Sequence, residues 1–259
     1  MGHIRLGRLP KTRPWRSVVA LLADSSAPAS EVAASVSIAA RSQLGVLARD
    51  RGAAYCFFVL VRIAQAARQD ELESELRRLG APGGSLDSPV LLARAISRLV
   101  EEGIRVHGDR TPVTRMAELA LRETLNRNLI ARSQSLFGSG QEEIQAAARR
   151  LGGQAGFAEA ARGFFADLTA RVVRFVVDKE VSNHVGPGRR LAAPADVAGF
   201  HEALGRYCFE ASKIVEAYAG GWFSKKKWET SDNISQGDVT RFAAYAFQKL
   251  QAELREGAA

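Results

Sequence analysis

The chain has 259 residues, of which 46% are apolar, and it carries a formal net charge of +8. That composition excludes a disordered chain and supplies core for one large domain or two smaller ones. The charge favours anionic partners, namely nucleic acid, phosphorylated ligands or an acidic protein face, without choosing among them.

Aromatic residues make up 7% of the chain, so a core of Leu, Val and Ala is expected, as in helical proteins. The first sixteen residues, MGHIRLGRLPKTRPWR, contain no apolar core of a secretory signal. They hold Arg5, Arg8, Lys11, Arg13 and Arg16 without an acid. Gly2, Gly7, Pro10 and Pro14 make this stretch a poor helix, and it reads as a basic arm over residues 1–16. Such an arm can lie along phosphates or across an acidic partner. It can equally pack through Ile4, Leu6, Leu9 and Trp15 with its arginines in water.

A helical domain is expected over residues 17–259. Pro14 fits a first turn, followed by Trp15, Val18, Val19 and Leu22 at helical spacing. Pro28 opens a second helix carrying Val32, Val36, Ala40, Leu44 and Leu47. The third runs from about Gly52 to Gln69 and the fourth from about Asp70 to Leu79. The third holds the most apolar run, Ala53 to Val61, which ends at Arg62. A membrane span needs about 20 residues, so no span is expected; the two cysteines in apolar helical patterns suit a reducing compartment, and the chain is expected in the cytoplasm. The stretch 80–89, GAPGGSLDSP, is a loop and a candidate sub-boundary.

Ser88-Pro89 reads as an N-cap and first helical residue, with Leu92, Ile96, Leu99 and Val100 on one face. Thr111-Pro112 repeats the signal before Leu121, Leu125 and Leu129. A short helix covers Gln141 to Arg150. A long stripe then joins Phe157, Ala161, Phe164, Phe165, Leu168, Val172, Phe175 and Val176, and stops near 184–188. Another runs through Val197, Phe200, Leu204, Tyr207, Cys208, Ala211, Ile214, Val215 and Tyr218, with Gly220-Gly221 as its terminator. Ser235 with Asp238 starts the last helix, whose buried face is Val239, Phe242, Ala246, Leu250 and Leu254. No segment alternates with period two. The predicted fold is all-α, an irregular multi-helix domain of about ten helices without substantial β-sheet.

Chemistry-bearing motifs are missing. There is no P-loop, dinucleotide fingerprint, nucleophile elbow or paired C-x-x-C. His201-Glu202 begins like a zinc-protease helix, but Gly205 stands where the second histidine is needed. Glu180 and His184 share a helix face without the second copy that a di-metal carboxylate site requires. Cys56 and Cys208 sit in apolar stripes, where a thiol behaves as a small hydrophobe; a pair of Cys208 with His201, two turns away, is disfavoured. No catalytic residue, metal ligand or cofactor is assigned.

One internal segment stands out, Gly220 to Trp228. It reads as the connection between the last two long helices, with Lys225, Lys226 and Lys227 between Trp222 and Trp228. Lysines supply charge and exposed aromatics can stack on bases. The tryptophans can instead anchor the loop to the core, or a protein partner to the loop. The expectation drawn is a non-catalytic helical interaction subunit of a larger intracellular assembly. The alternatives are a nucleic-acid-binding protein using the arm and the 222–228 loop, or an enzyme with an unrecognised site.

Overall fold

The computed structural model describes residues 12–24, 26–107, 111–133, 140–189, 191–230 and 233–256. Among them stand twelve α-helices: α1 (Arg13–Ala23), α2 (Ala29–Leu47), α3 (Arg51–Arg68), α4 (Leu72–Arg78), α5 (Pro89–His107), α6 (Pro112–Leu125), α7 (Ala131–Ser133), α8 (Gln141–Gly152), α9 (Gln154–Val181), α10 (Pro194–Ala211), α11 (Lys213–Glu229) and α12 (Gln236–Glu256). No described residue lies in a strand; one isolated bridge joins Val185 to Leu191. The all-α expectation holds, and no described helix is long and apolar enough to cross a membrane.

Helix starts follow the sequence signals. The Thr111 hydroxyl accepts from the Thr114 N–H, the Ser88 hydroxyl from that of Leu91 and the Ser235 hydroxyl from that of Asp238. Asp50 caps α3 through the Ala53 N–H and also accepts the hydroxyls of Thr111 (2.6 Å) and Thr114 (3.0 Å), which ties the first turns of α3 and α6 together.

The count exceeds ten for two local reasons. A π-turn at Asn126–Ile130 follows α6 and sets off the three-residue α7; there the Asn128 amide donates to the Thr124 carbonyl, competing with the backbone ladder. The second reason is Ser212. Its hydroxyl donates 2.7 Å back to the Cys208 carbonyl, and its ψ of −1° is flatter than the roughly −42° of a regular α-helix, so the expected single stripe from Val197 to Tyr218 divides into α10 and α11. Arg162 of α9 clamps the division. It donates to the Phe209 carbonyl at 3.2 Å and to Glu216 at 2.7 Å, and its guanidinium lies 3.8 Å over the Phe209 ring.

Two helices, α3 and α9, form the centre. Phe57 of α3 meets Phe157, Phe164 and Phe165 of α9 and stacks on Phe242 of α12 at 5.4 Å. A single apolar cluster runs from Trp15 to Leu254 and takes in Leu76, Ala81 and Leu86 around the 80–89 loop. Phe175 departs from the expected stripe: it is 40% exposed. Arg174 and Asp178 both face α10 through His201, and one residue is about 100° of helix, so Phe175 is turned off that contact.

Candidate partner-binding surface

The segment 222–228 is helix, not loop. Gly220 and Gly221 do not end a helix; both lie inside α11. Gly220 is buried where α11 crosses the start of α9, and a Cβ there would come within 2.6 Å of the Gln154 carbonyl oxygen. The residue therefore sets how closely the two helices approach. Phe223 then stacks on Phe157 at 4.1 Å, and Trp222 packs 4.3 Å from Phe242. This aromatic contact holds the glycines in a helix despite their poor propensity.

The candidate residues consequently divide. Trp222 is a core-packing residue. Trp228 is 88% exposed on the last turn. Lys225 points to solvent, 3.7 Å from Glu229. Lys226 reaches Glu229 at 2.9 Å and Asp238 of α12 at 3.5 Å, and its hydrogen bond to Glu229 raises its pKa. Lys227 is half-buried, and desolvation followed by the nearby Arg68 charge lowers its pKa. Arg68, on the last turn of α3, is the cation that sequence reading missed; helix-end basic residues are common, and only the folded chain brings its charge near Lys227.

Of the basic arm, Arg5, Arg8 and Lys11 lie outside the described residues. Arg13 and Arg16 correct the reading of residues 1–16 as a non-helical arm: both are exposed residues of α1, with Trp15 buried between them. The helix α1 packs on α2 while α11 packs on α9 and α12, so the two cationic segments occupy different parts of the bundle.

Among the described side chains, His184 and His201 lie against carboxylates and both cysteines are buried. Burial pushes the Cys208 thiol up to about 12 and raises that of Cys56 further. His201 Nε2 lies 2.7 Å from Asp178, a bridge between α9 and α10, and His184 is 3.4 Å from Glu180 at the end of α9. Among the described residues no cluster of His, Cys, Asp and Glu is arranged to hold a metal. A cleft of about 380 Å³ between α5 and α6 is lined by Glu101, Thr111, Thr114, Arg115 and Glu118. Its buried carboxylate, Glu118, is held by Arg115 at 2.6 Å and by Arg122, which also bridges to Glu101 at 2.9 Å. These ion pairs join α5 to α6 through one Arg122 terminal nitrogen, while the buried Arg122 Nε has no hydrogen-bond partner.

What the surface of α11 presents is thus one exposed indole beside cations on the last turn of a helix. Comparison with known proteins finds no matching family model, no matching curated protein and no matching solved structure.

Proposed function

We propose that the chain is a non-catalytic helical interaction subunit that docks a partner through the outer face of α11, with Trp228 as the anchor. The exposure of Trp228 carries this reading. An indole held at 88% exposure contributes little to the fold, whereas a tryptophan is among the strongest anchors an interface can bury. The test is affinity purification of the tagged full chain from its own host, beside Trp228→Ala. The variant is expected to melt like the wild type and to lose a partner held at fixed stoichiometry. Recovery of the same partners in the same amounts refutes the reading.

A second reading, binding of single-stranded nucleic acid, is favoured by the Arg68 charge standing near Lys227, the residue before Trp228 in the chain. It requires a salt-dependent affinity for an oligothymidine whose log–log slope flattens by about 2 when Lys225, Lys227 and Arg68 are replaced by alanine.

A further inference from the structure

A second cleft, of about 350 Å³, lies between α5, α6, the π-turn and α9. Helical spacing builds it. Ala93, Ile96 and Ser97 stand at i, i+3 and i+4 on α5, and Leu119, Arg122 and Glu123 repeat that spacing on α6, so each helix turns one face to it. The π-turn carries the second stripe on through Asn126 and Ile130, and Arg171 of α9 supplies a further wall. Most of the lining is apolar. Ile96 and Leu125 are buried, and Ala93, Leu119 and Ile130 are half-buried. A cleft of this size, apolar with a few polar groups, is the usual form of a small-molecule site, and π-turns recur at such sites.

Two guanidiniums line this cleft, and their own ion pairs leave both open. Arg122 meets Glu101 and Glu118 through Nη2 alone; its Nη1 has no hydrogen-bond partner among the described residues. Its Nε is buried and has none either. Arg171 meets Asp167 through Nε at 2.7 Å, and neither of its terminal nitrogens has a partner among the described residues. A guanidinium is a planar fork of five N–H donors, two of which match a carboxylate in parallel bonds. Ser97 and Asn126 add a hydroxyl and an amide to the same lining. The carboxylates around the cleft are already held: Glu101 and Glu118 by Arg122, Asp167 by Arg171, and Glu123 by Arg127 at 3.4 Å. On α5, Arg94 and Arg98 follow Ala93 and Ser97 in the chain, are exposed, and have no ion pair among the described residues. The balance of charge therefore favours an anion.

We propose that this cleft binds a small monocarboxylate with an apolar body, whose carboxylate takes the open edges of Arg122 and Arg171 while the body lies on Ile96, Leu119, Leu125 and Ile130. A monoanion suits the site. Each guanidinium already shares its charge with a carboxylate, so little positive charge is left over, and the apolar lining rewards burial of hydrocarbon. The cleft uses no residue of α11, so the proposal stands apart from the docking reading.

The experiment titrates octanoate into the purified full chain, read by calorimetry and ligand-observed NMR. Saturable binding with a Kd of about 1 mM or tighter is expected, the affinity of a well-placed fragment. Acetate has the charge without the body, octanol the body without the charge, and octylammonium the body with the opposite charge. Each should bind at least about tenfold more weakly. This ligand series needs no variant, so it decides even where a substitution disturbs folding. Arg171→Met keeps the apolar stem and removes the open edge, and Ala93→Phe fills the cleft. Each should weaken octanoate at least about tenfold, with melting in the absence of ligand as the check on folding. Trp228→Ala should bind octanoate like the wild type. No saturation by about 10 mM overturns the proposal, as does octylammonium binding as tightly as octanoate, or octanoate binding unchanged in both cleft variants. Loss of binding in Trp228→Ala would place the ligand on α11 and overturn it too.

Discussion

Adjacent glycines in one helix offer a sharp test of how α11 is built. Gly220→Ala and Gly221→Ala are chemically the same substitution, one residue apart. Each removes a poor helix former and gains about 0.8–1.0 kcal/mol of helix propensity. At position 221 nothing else changes, because the new methyl meets open space. Gly221→Ala should therefore stabilise the monomer by nearly that full amount. At position 220 the methyl would stand 2.6 Å from the Gln154 carbonyl oxygen, 2.9 Å from the Gln154 Cγ and 3.3 Å from the Ala158 Cβ. The carbonyl belongs to the first turn of α9 and cannot swing aside as a side-chain tip would. Forcing extra volume into a packed contact costs about 1–3 kcal/mol. The net for Gly220→Ala runs from near zero to about 2 kcal/mol of destabilisation, and the two variants should differ by about 1–3 kcal/mol. Urea unfolding at sub-micromolar protein measures this, with melting temperature as a check; 1 kcal/mol is roughly 2–4 °C for a chain of this size. If both substitutions destabilise alike, the glycines serve a chain turn with positive φ, and the continuous helix described here is wrong.

Other consequences follow from the same contacts. Phe164→Ala should cost about 3–5 kcal/mol, while Phe175→Ala, at a position 40% exposed, should cost at most about half of that in the same urea titration. Arg162→Met keeps the apolar stem but frees Glu216 and the Phe209 carbonyl; a loss of about 1–3 kcal/mol is expected, discounted for the partial exposure of both carboxylates. Cys56 and Cys208 should resist thiol reagents until the chain unfolds, and rapid modification of Cys208 in the native state would show its pocket to be open. Burial raises the folded Cys208 pKa from an ordinary 9.0 to about 12, so the folded state is favoured below pH 9 and loses that advantage as pH climbs toward 12. A Cys208→Ala variant should unfold at alkaline pH with a shallower pH dependence than the wild type, and an identical profile would refute the assignment.

Most of the fold was legible because its signals are local. Pro112 after Thr111, Ser88 before Pro89 and Ser235 with Asp238 each mark a start that the backbone obeys. The apolar spacing on α9 named Phe157, Phe164 and Phe165 correctly, since a helix surrounded by neighbours buries whatever it carries. The errors came where long-range contacts overrule local preference. Paired glycines ordinarily end a helix, yet Phe157 and Phe242, more than sixty residues before and twenty after Gly220-Gly221, hold α11 together through Phe223 and Trp222. The division at Ser212 depends on a hydroxyl folding back on its own turn and on Arg162 reaching across from α9, neither of which has a spacing signature.

The lysines show how the fold narrows the functional choice. Three consecutive cations in a loop would all be free to meet phosphates. On a helix they point about 100° apart, and their surroundings separate them. Lys226 is drawn inward to Glu229 and to Asp238, whose carboxyl is held down at about 2, chiefly by the Ser235 hydroxyl, at the start of α12. Replacing Lys226 would therefore disturb the joint between α11 and α12, and a triple alanine variant would confound folding with binding. Lys225 and Lys227 lie on opposite flanks of Trp228, one in solvent and one against Arg68. The indole is what remains unused at the centre of this surface. A ligand held chiefly by charge would respond most to Lys225, Lys227 and Arg68, whereas a protein face would respond most to Trp228 and keep most of its affinity at high salt. The ratio of those two responses, measured with single substitutions, decides which class of partner α11 was shaped to hold.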